Sequence, residues 1–304
     1  MVAESSSSKH SFFDPSVVGK LGALPLFARG PMLGTVAGRH KSPHRGSSVE
    51  FAEYRKYVPG DDTRRLDWRA YARSDRFYIK EFEAETNLRA YLVVDTSGSM
   101  AFSSGDGMTK LDYAKRLASS IAYLTLQGGD AIGMTRCNEA GNLSLPARRN
   151  PSHLEAIFDV LADSEPSGTT SLAETLHEVA EKVRQRALII IISDFFCPPN
   201  ELKDALQHLH FNKHDIATFH LLDPLELGFE FDRPQRFVDL EGNETIIADP
   251  NSIADRYHAA LNQYLEQTRK NCHDCNADYQ RVVTNTPYDE VLTKFLTARL
   301  PKKR

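Results

Sequence analysis

Residues 89–100 read RAYLVVDTSGSM, a run with the composition of a strand buried on both faces that passes at once into a tight polar loop at Asp95. An apolar strand that ends in a carboxylate and turns through Ser and Gly marks the entry to a parallel sheet, where ligands gather at the carboxyl ends of the strands. A second segment of the same kind, ALIIIISD at 187–194, is apolar without alternation and closes on Asp194. It reads as the central strand of that sheet.

Downstream of the loop, Leu111, Ala114, Leu117, Ala118, Ile121 and Leu124 recur at three-four spacing until Gly128 and Gly129, which predicts a helix over 109–127. A strand at 131–136, the turn-like NEAGN and a short partner at 143–145 predict a hairpin-type edge. Two amphipathic helices follow, one carrying Leu154, Ile157, Phe158 and Leu161, the other Leu172, Leu176, Val179, Ala180 and Val183. After ALIIIISD come a helix near 201–210, the strand DIATFHLL to Asp223, and a hairpin over 227–247. A last helix over 252–271, a strand at 279–283 and a helix through Val291, Leu292, Phe295 and Leu296 complete the chain. This alternation predicts an α/β fold with a doubly wound, mostly parallel, Rossmann-like sheet over 89–300, preceded by an N-terminal extension.

Within the extension, residues 1–35 hold a serine run with scattered Gly and Pro and read as a partly disordered arm. Residues 36–88 form a mixed-charge block with a Pro59-Gly60 turn and a strand over Phe77 to Phe82. Its aromatics, Trp68, Tyr71, Phe77 and Phe82, are expected to pack the block on the core. Arg64, Arg65, Arg69, Arg73 and Arg76 interleave with Asp61, Asp62, Asp67 and Asp75, the pattern of a paired or solvated face and not of a nucleic-acid footprint.

Across 304 residues, 37 Lys plus Arg against 41 Asp plus Glu leave a formal charge of -4, which points to no polyanionic partner. Four scattered cysteines do not make a disulfide framework, as expected in a reducing compartment. The start, MVAESSSSKHSFFDP, lacks a basic stretch followed by an apolar one, and the most apolar run is far short of the roughly 20 residues that span a bilayer. The expected location is cytoplasmic, with no membrane span.

The chemistry concentrates at DTSGSM, 95–100, a D-x-S-x-S pattern at a strand end. Hard cations take oxygen ligands, and a carboxylate with two hydroxyls on one loop suits Mg²⁺, with Mn²⁺ or Ca²⁺ also accepting such donors. Gly98 is expected to let the loop turn sharply so that Ser97 and Ser99 aim inward beside Asp95. Two further oxygens are expected from neighbouring strand ends: a threonine of SGTTSL, Thr169 or Thr170, with Thr170 preferred by its spacing from Leu172, and Asp194. A Mg-dependent phosphatase of Rossmann-like fold is the alternative reading, but the second Asp such an enzyme needs two residues after the first is here Ser97. No G-x-S-x-G elbow and no phosphate-binding glycine loop is present. Cys272 and Cys275 make a lone C-x-x-C, short of a zinc site by two ligands.

With D-x-S-x-S, the SGTTSL segment and the strand closing on Asp194 in this order, the sequence resembles the von Willebrand factor A superfamily and its metal-ion-dependent adhesion site. The block EFAEYRKYVPGDDTRRLDWRAYARSDRFYIKEFE, upstream of that match, is similar to the bacterial branch called domain-of-unknown-function family 58. The resemblance implies a non-enzymatic interaction module in which Asp95, Ser97, Ser99, Thr170 and Asp194 hold the metal and an acidic residue of a partner protein completes its shell. Members of this branch are commonly encoded beside MoxR-type AAA+ ATPases, so the implied role is that of an adaptor or chaperone-like partner of such an ATPase.

Overall fold

The computed structural model describes residues 10–22, 24–29, 40–41, 50–58, 63, 66–83, 85–86, 88–105, 107–139, 141–169, 171–231, 233–242 and 244–300, with backbone alone at 40–41, 50–55, 80–83 and 85–86. The chain divides into two compact units, one made of residues 1–27 and 89–304, the other of 28–88.

The larger unit begins with α1, Pro15–Leu21, started by Asp14, whose carboxylate accepts from the Ser16 N–H at 2.8 Å with Pro15 at the first helical position. Val17, Val18 and Leu21 are buried, and Phe12 and Phe13 lie ring to ring with Phe158. A seven-residue helix is too short to stand out by its periodicity, so the stretch read from sequence as an arm conceals an ordered element at 10–22.

In the smaller unit β1, His40–Lys41, will pair with a later strand, and β2, Glu50–Lys56, is followed by α2, Trp68–Ser74, which Asp67 caps by accepting from the Arg69 and Ala70 N–H groups. β3, Tyr78–Glu83, runs antiparallel to β2 with a register shift between Phe51 and Glu53, and β4, Glu85–Thr86, pairs with β1. Of the aromatics expected to pack this block on the core, Trp68 is 61% exposed and Phe77 44%. Tyr71 stacks on Phe77 at 4.4 Å, an aromatic pair within the unit itself, while the side chain of Phe82 lies outside the described set.

The large unit resumes with β5, Arg89–Asp95, a 3-10 turn at Gly98–Ala101, and α3, Lys110–Gln127, capped by Thr109. β6, Ala131–Cys137, and β7, Leu143–Arg148, precede α4, Ser152–Ala162, and α5, Leu172–Lys182. Then come β8, Leu188–Ser193, α6, Pro199–Phe211, β9, Asp215–Leu222, and the short α7, Pro224–Gly228. β10, Gln235–Val238, and β11, Thr245–Ala248, form a separate antiparallel hairpin before α8, Pro250–Asp274, β12, Asp278–Val283, and α9, Tyr288–Ala298.

Among the described residues one six-stranded sheet has the order β12-β9-β8-β5-β6-β7, parallel throughout except β7. The order reverses between β5 and β8, so the expected doubly wound architecture has its crevice where Asp95 and Asp194 stand. Every residue of β8 and β9 is buried. Leu176, Val179, Leu202, Leu206 and Leu209 from α5 and α6 join Ile189 and Ile191 in one core cluster, each buried aliphatic contributing about 1.5–3 kcal/mol. The rigid sheet therefore fixes both carboxylates from below.

Candidate functional site

Asp95 and Asp194 are fully buried, and Ser97 and Ser99 are 1% and 9% exposed. The Ser97 N–H donates to Asp95 Oδ1 at 2.9 Å, an Asx turn that folds the loop back on its own carboxylate. The hydroxyls of Ser97 and Ser99 meet at 3.1 Å on the loop that follows Asp95. Ser193 Oγ donates to Asp95 Oδ2 at 2.6 Å and accepts from the Phe195 N–H at 2.8 Å, which ties the end of β8 to the end of β5.

The SGTTSL segment is drawn to the same loop by two main-chain bonds, Ser167 N–H to the Thr96 carbonyl at 3.0 Å and Gly98 N–H to the Gly168 carbonyl at 2.9 Å. Thr170 lies outside the described residues. Thr169 is exposed, with its N–H on Glu139 Oε2 at 2.9 Å. Gly98 has an ordinary φ; what requires glycine is space, because a Cβ there would collide with the carbonyl of Leu240. The hairpin of β10 and β11 thus reaches over the loop, and its residues Val238 to Glu241 share with Ser99, Lys110 and Glu226 a cavity of about 370 Å³.

Lys110 was not anticipated as a site residue. Its ammonium, fully buried, sits 2.7 Å from Asp194 Oδ2 and 2.8 Å from Glu226 Oε1. A lysine in the first turn of a helix opposes the helix dipole, and burial disfavours its charge, yet Asp194 and Glu226 outweigh both and hold its pKa above the usual lysine value. The signal was in the sequence, since Lys110 falls on the stripe of Ala114, Leu117 and Ile121, where a charged residue demands a buried partner. Glu226 has no such signal. It closes the capping box of α7, accepting from the Asp223 N–H at 2.7 Å.

Burial, and then the charge of Asp194, push the Asp95 carboxyl up to about 6. His220, packed edge-on against Phe195 and Tyr264, is held down at about 4 by burial and is neutral at pH 7. The Lys110 ammonium lies against two carboxylates, Asp194 and Glu226, and Asp95 stands at the end of the neighbouring strand. Carboxylate and hydroxyl oxygens are the donors that a hard divalent cation takes. Cys272 and Cys275 are buried thiols, Cys272 pushed up to about 12 by burial, and no three His, Cys, Asp or Glu side chains among the described residues are placed to hold a metal ion by themselves.

Residues 53–267 match the family model described as protein of unknown function DUF58. Uncharacterized protein Rv1480 of Mycobacterium tuberculosis is 30% identical over 291 residues, covering 94% of this chain and 90% of the relative. Among solved structures, the conserved hypothetical protein BatB from Bacteroides thetaiotaomicron aligns over 70% of this chain and 98% of its own, with 17% identity and a TM-score of 0.44. The SpRpn10 VWA domain aligns over 68% and 94%, with 12% identity and a TM-score of 0.42. No helix among the described residues is long and apolar enough to cross a membrane.

Proposed function

The chain belongs to the DUF58 family, with a von Willebrand factor A-like fold, and from that premise we propose that it is a non-enzymatic, cation-dependent protein-binding module of the cytoplasm. Asp95, Ser97, Ser99 and Asp194, with Thr170 from the adjoining segment, would hold Mg²⁺. The observation that carries this reading is the meeting, at adjoining strand ends, of the buried Asp95 and Asp194 with the paired hydroxyls of Ser97 and Ser99. When bound, the cation supplies positive charge and an open coordination position to an acidic side chain of a partner. Asp95 and the serines bind and orient. Asp194, with one oxygen on Lys110, acts through its second oxygen or through water. The resemblance of the chain makes a MoxR-type AAA+ ATPase the partner to test.

The first experiment is calorimetric titration of the full chain with Mg²⁺, Mn²⁺ and Ca²⁺, alongside Asp95→Asn checked for fold by circular dichroism. Saturable binding to wild type and none to the variant supports the site; no heat with any cation removes metal from the proposal. Binding of a purified MoxR-type ATPase is then measured with Mg²⁺ and with chelator, and binding that chelator leaves unchanged would place the partner surface elsewhere. Turnover of p-nitrophenyl phosphate dependent on Asp95 would overturn the non-enzymatic assignment.

A further inference from the structure

The two edges of the six-stranded sheet are built differently. β7 carries Pro146 inside the strand, which removes a ladder donor and blunts that edge. β12, at the other edge, has no proline and lies in a groove of about 550 Å³ between α8 and α9, lined by Asn262, Glu266, Arg269, Tyr279, Arg281 and Lys294 among others. Among the described residues β12 pairs only with β9.

The Thr284 N–H donates to the Leu222 carbonyl at 2.9 Å, so Thr284 faces β9. Main-chain groups of successive strand residues point to opposite sides, which places Asp278, Gln280 and Val282 toward β9 and turns the N–H and C=O of Tyr279, Arg281 and Val283 to the groove. The Val283 carbonyl is taken by the Thr286 N–H at 2.9 Å, which ends the open stretch. Charge is also asymmetric there. Arg269 is compensated by two bonds to Glu266, at 3.0 and 2.7 Å, whereas Arg281 and Lys294 are exposed and form no salt bridge among the described residues.

We propose that this groove docks an extended acidic segment of a partner protein, which adds to β12 as a further strand. Main-chain bonds to Tyr279 and Arg281 supply affinity that any extended chain could share, and Arg281 and Lys294 select an acidic one. The same two cations repel basic strands and discourage edge-to-edge pairing between copies of this chain. The site is independent of the cation site at Asp95.

The test uses the full chain and a fluorescein-labelled peptide, Glu-Val-Glu-Thr-Glu-Val-Glu-Thr, against its counterpart with Lys for every Glu, followed by fluorescence anisotropy. The acidic peptide is expected to bind at least roughly tenfold more tightly, to weaken with added salt, and to lose roughly tenfold in affinity to Arg281→Glu/Lys294→Glu. Hydrogen exchange supplies the readout that simple charge attraction would not move: the Tyr279 and Arg281 amides should slow on binding. Equal affinity for the two peptides, no binding of the acidic one, or binding without slowed exchange at 279 and 281 would each overturn the proposal. Both variant positions are exposed, and a melting curve matching wild type verifies the fold.

Discussion

At the scale of single residues, the site is a problem of charge held under apolar cover. Asp95 titrates near 6 in the fold against an ordinary carboxylate value of 3.8, so without metal its contribution to stability is present below about 3.8 and lost as pH rises through 6. The loss approaches about 3 kcal/mol at neutral pH. Asp95→Asn removes it at the expense of one hydrogen bond, since the amide keeps one accepting oxygen for the two donors Ser97 and Ser193 and its nitrogen can only donate. In chelator, the stability of Asp95→Asn relative to wild type should therefore rise between pH 4 and pH 7.5 in urea titrations; a pH-independent difference would show that Asp95 is not the strained carboxyl. Lys110→Met leaves Asp194 and Glu226 facing each other without the ammonium, and should cost about 3–5 kcal/mol in chelator. Saturating Mg²⁺ should recover part of that loss in a thermal melt, because the cation restores positive charge to the same pocket.

At the scale of elements, the strand-loop units were readable and the contacts between distant loops were not. D-x-S-x-S at the end of β5 and Asp194 after β8 stand out because an apolar run that stops on Asp sets a carboxylate at the mouth of a buried sheet, where only a partner charge or a ligand can offset it. Lys110 was legible only as a violation of its own helical stripe, and Glu226 and Ser193 not at all, since their roles depend on which strand lies beside which. Gly98 shows the limit clearly: its place in the motif suggested a sharp turn, whereas the structure needs its missing side chain so that the Leu240 carbonyl can approach. Gly98→Ala should accordingly displace the β10-β11 hairpin and destabilise by about 1–3 kcal/mol. The measurement is amide exchange, faster across 235–248 in the variant and unchanged in β8; unaltered hairpin exchange would mean that the loop, not the hairpin, absorbs the added methyl.

At the scale of the molecule, the sheet keeps binding chemistry and stabilising charge at opposite ends. The doubly wound order followed from alternating strands and helices, but the clamp at the far end did not, because its members are the last residues of the fold meeting the first residues of two strands. Arg299, fully buried, donates to Asp215 at 2.8 Å and to Asp278 at 3.2 Å, and also to the Phe27 carbonyl at 3.1 Å. It thereby joins the C-terminal end of α9, the starts of β9 and β12, and the segment after α1. Arg299→Met takes a buried charge partner from both Asp215 and Asp278 and should lose about 3–5 kcal/mol in urea denaturation. Asp95 and Asp194 stand at the other ends of their strands from this clamp. Distant sites add, so the double variant Arg299→Met/Asp95→Asn should match the sum of the single changes within about 0.5 kcal/mol. The Mg²⁺-induced shift of the melting midpoint should likewise survive in Arg299→Met. A larger deviation would mean that the sheet transmits strain from clamp to cation site, and the two ends would then have to be treated as one cooperative device.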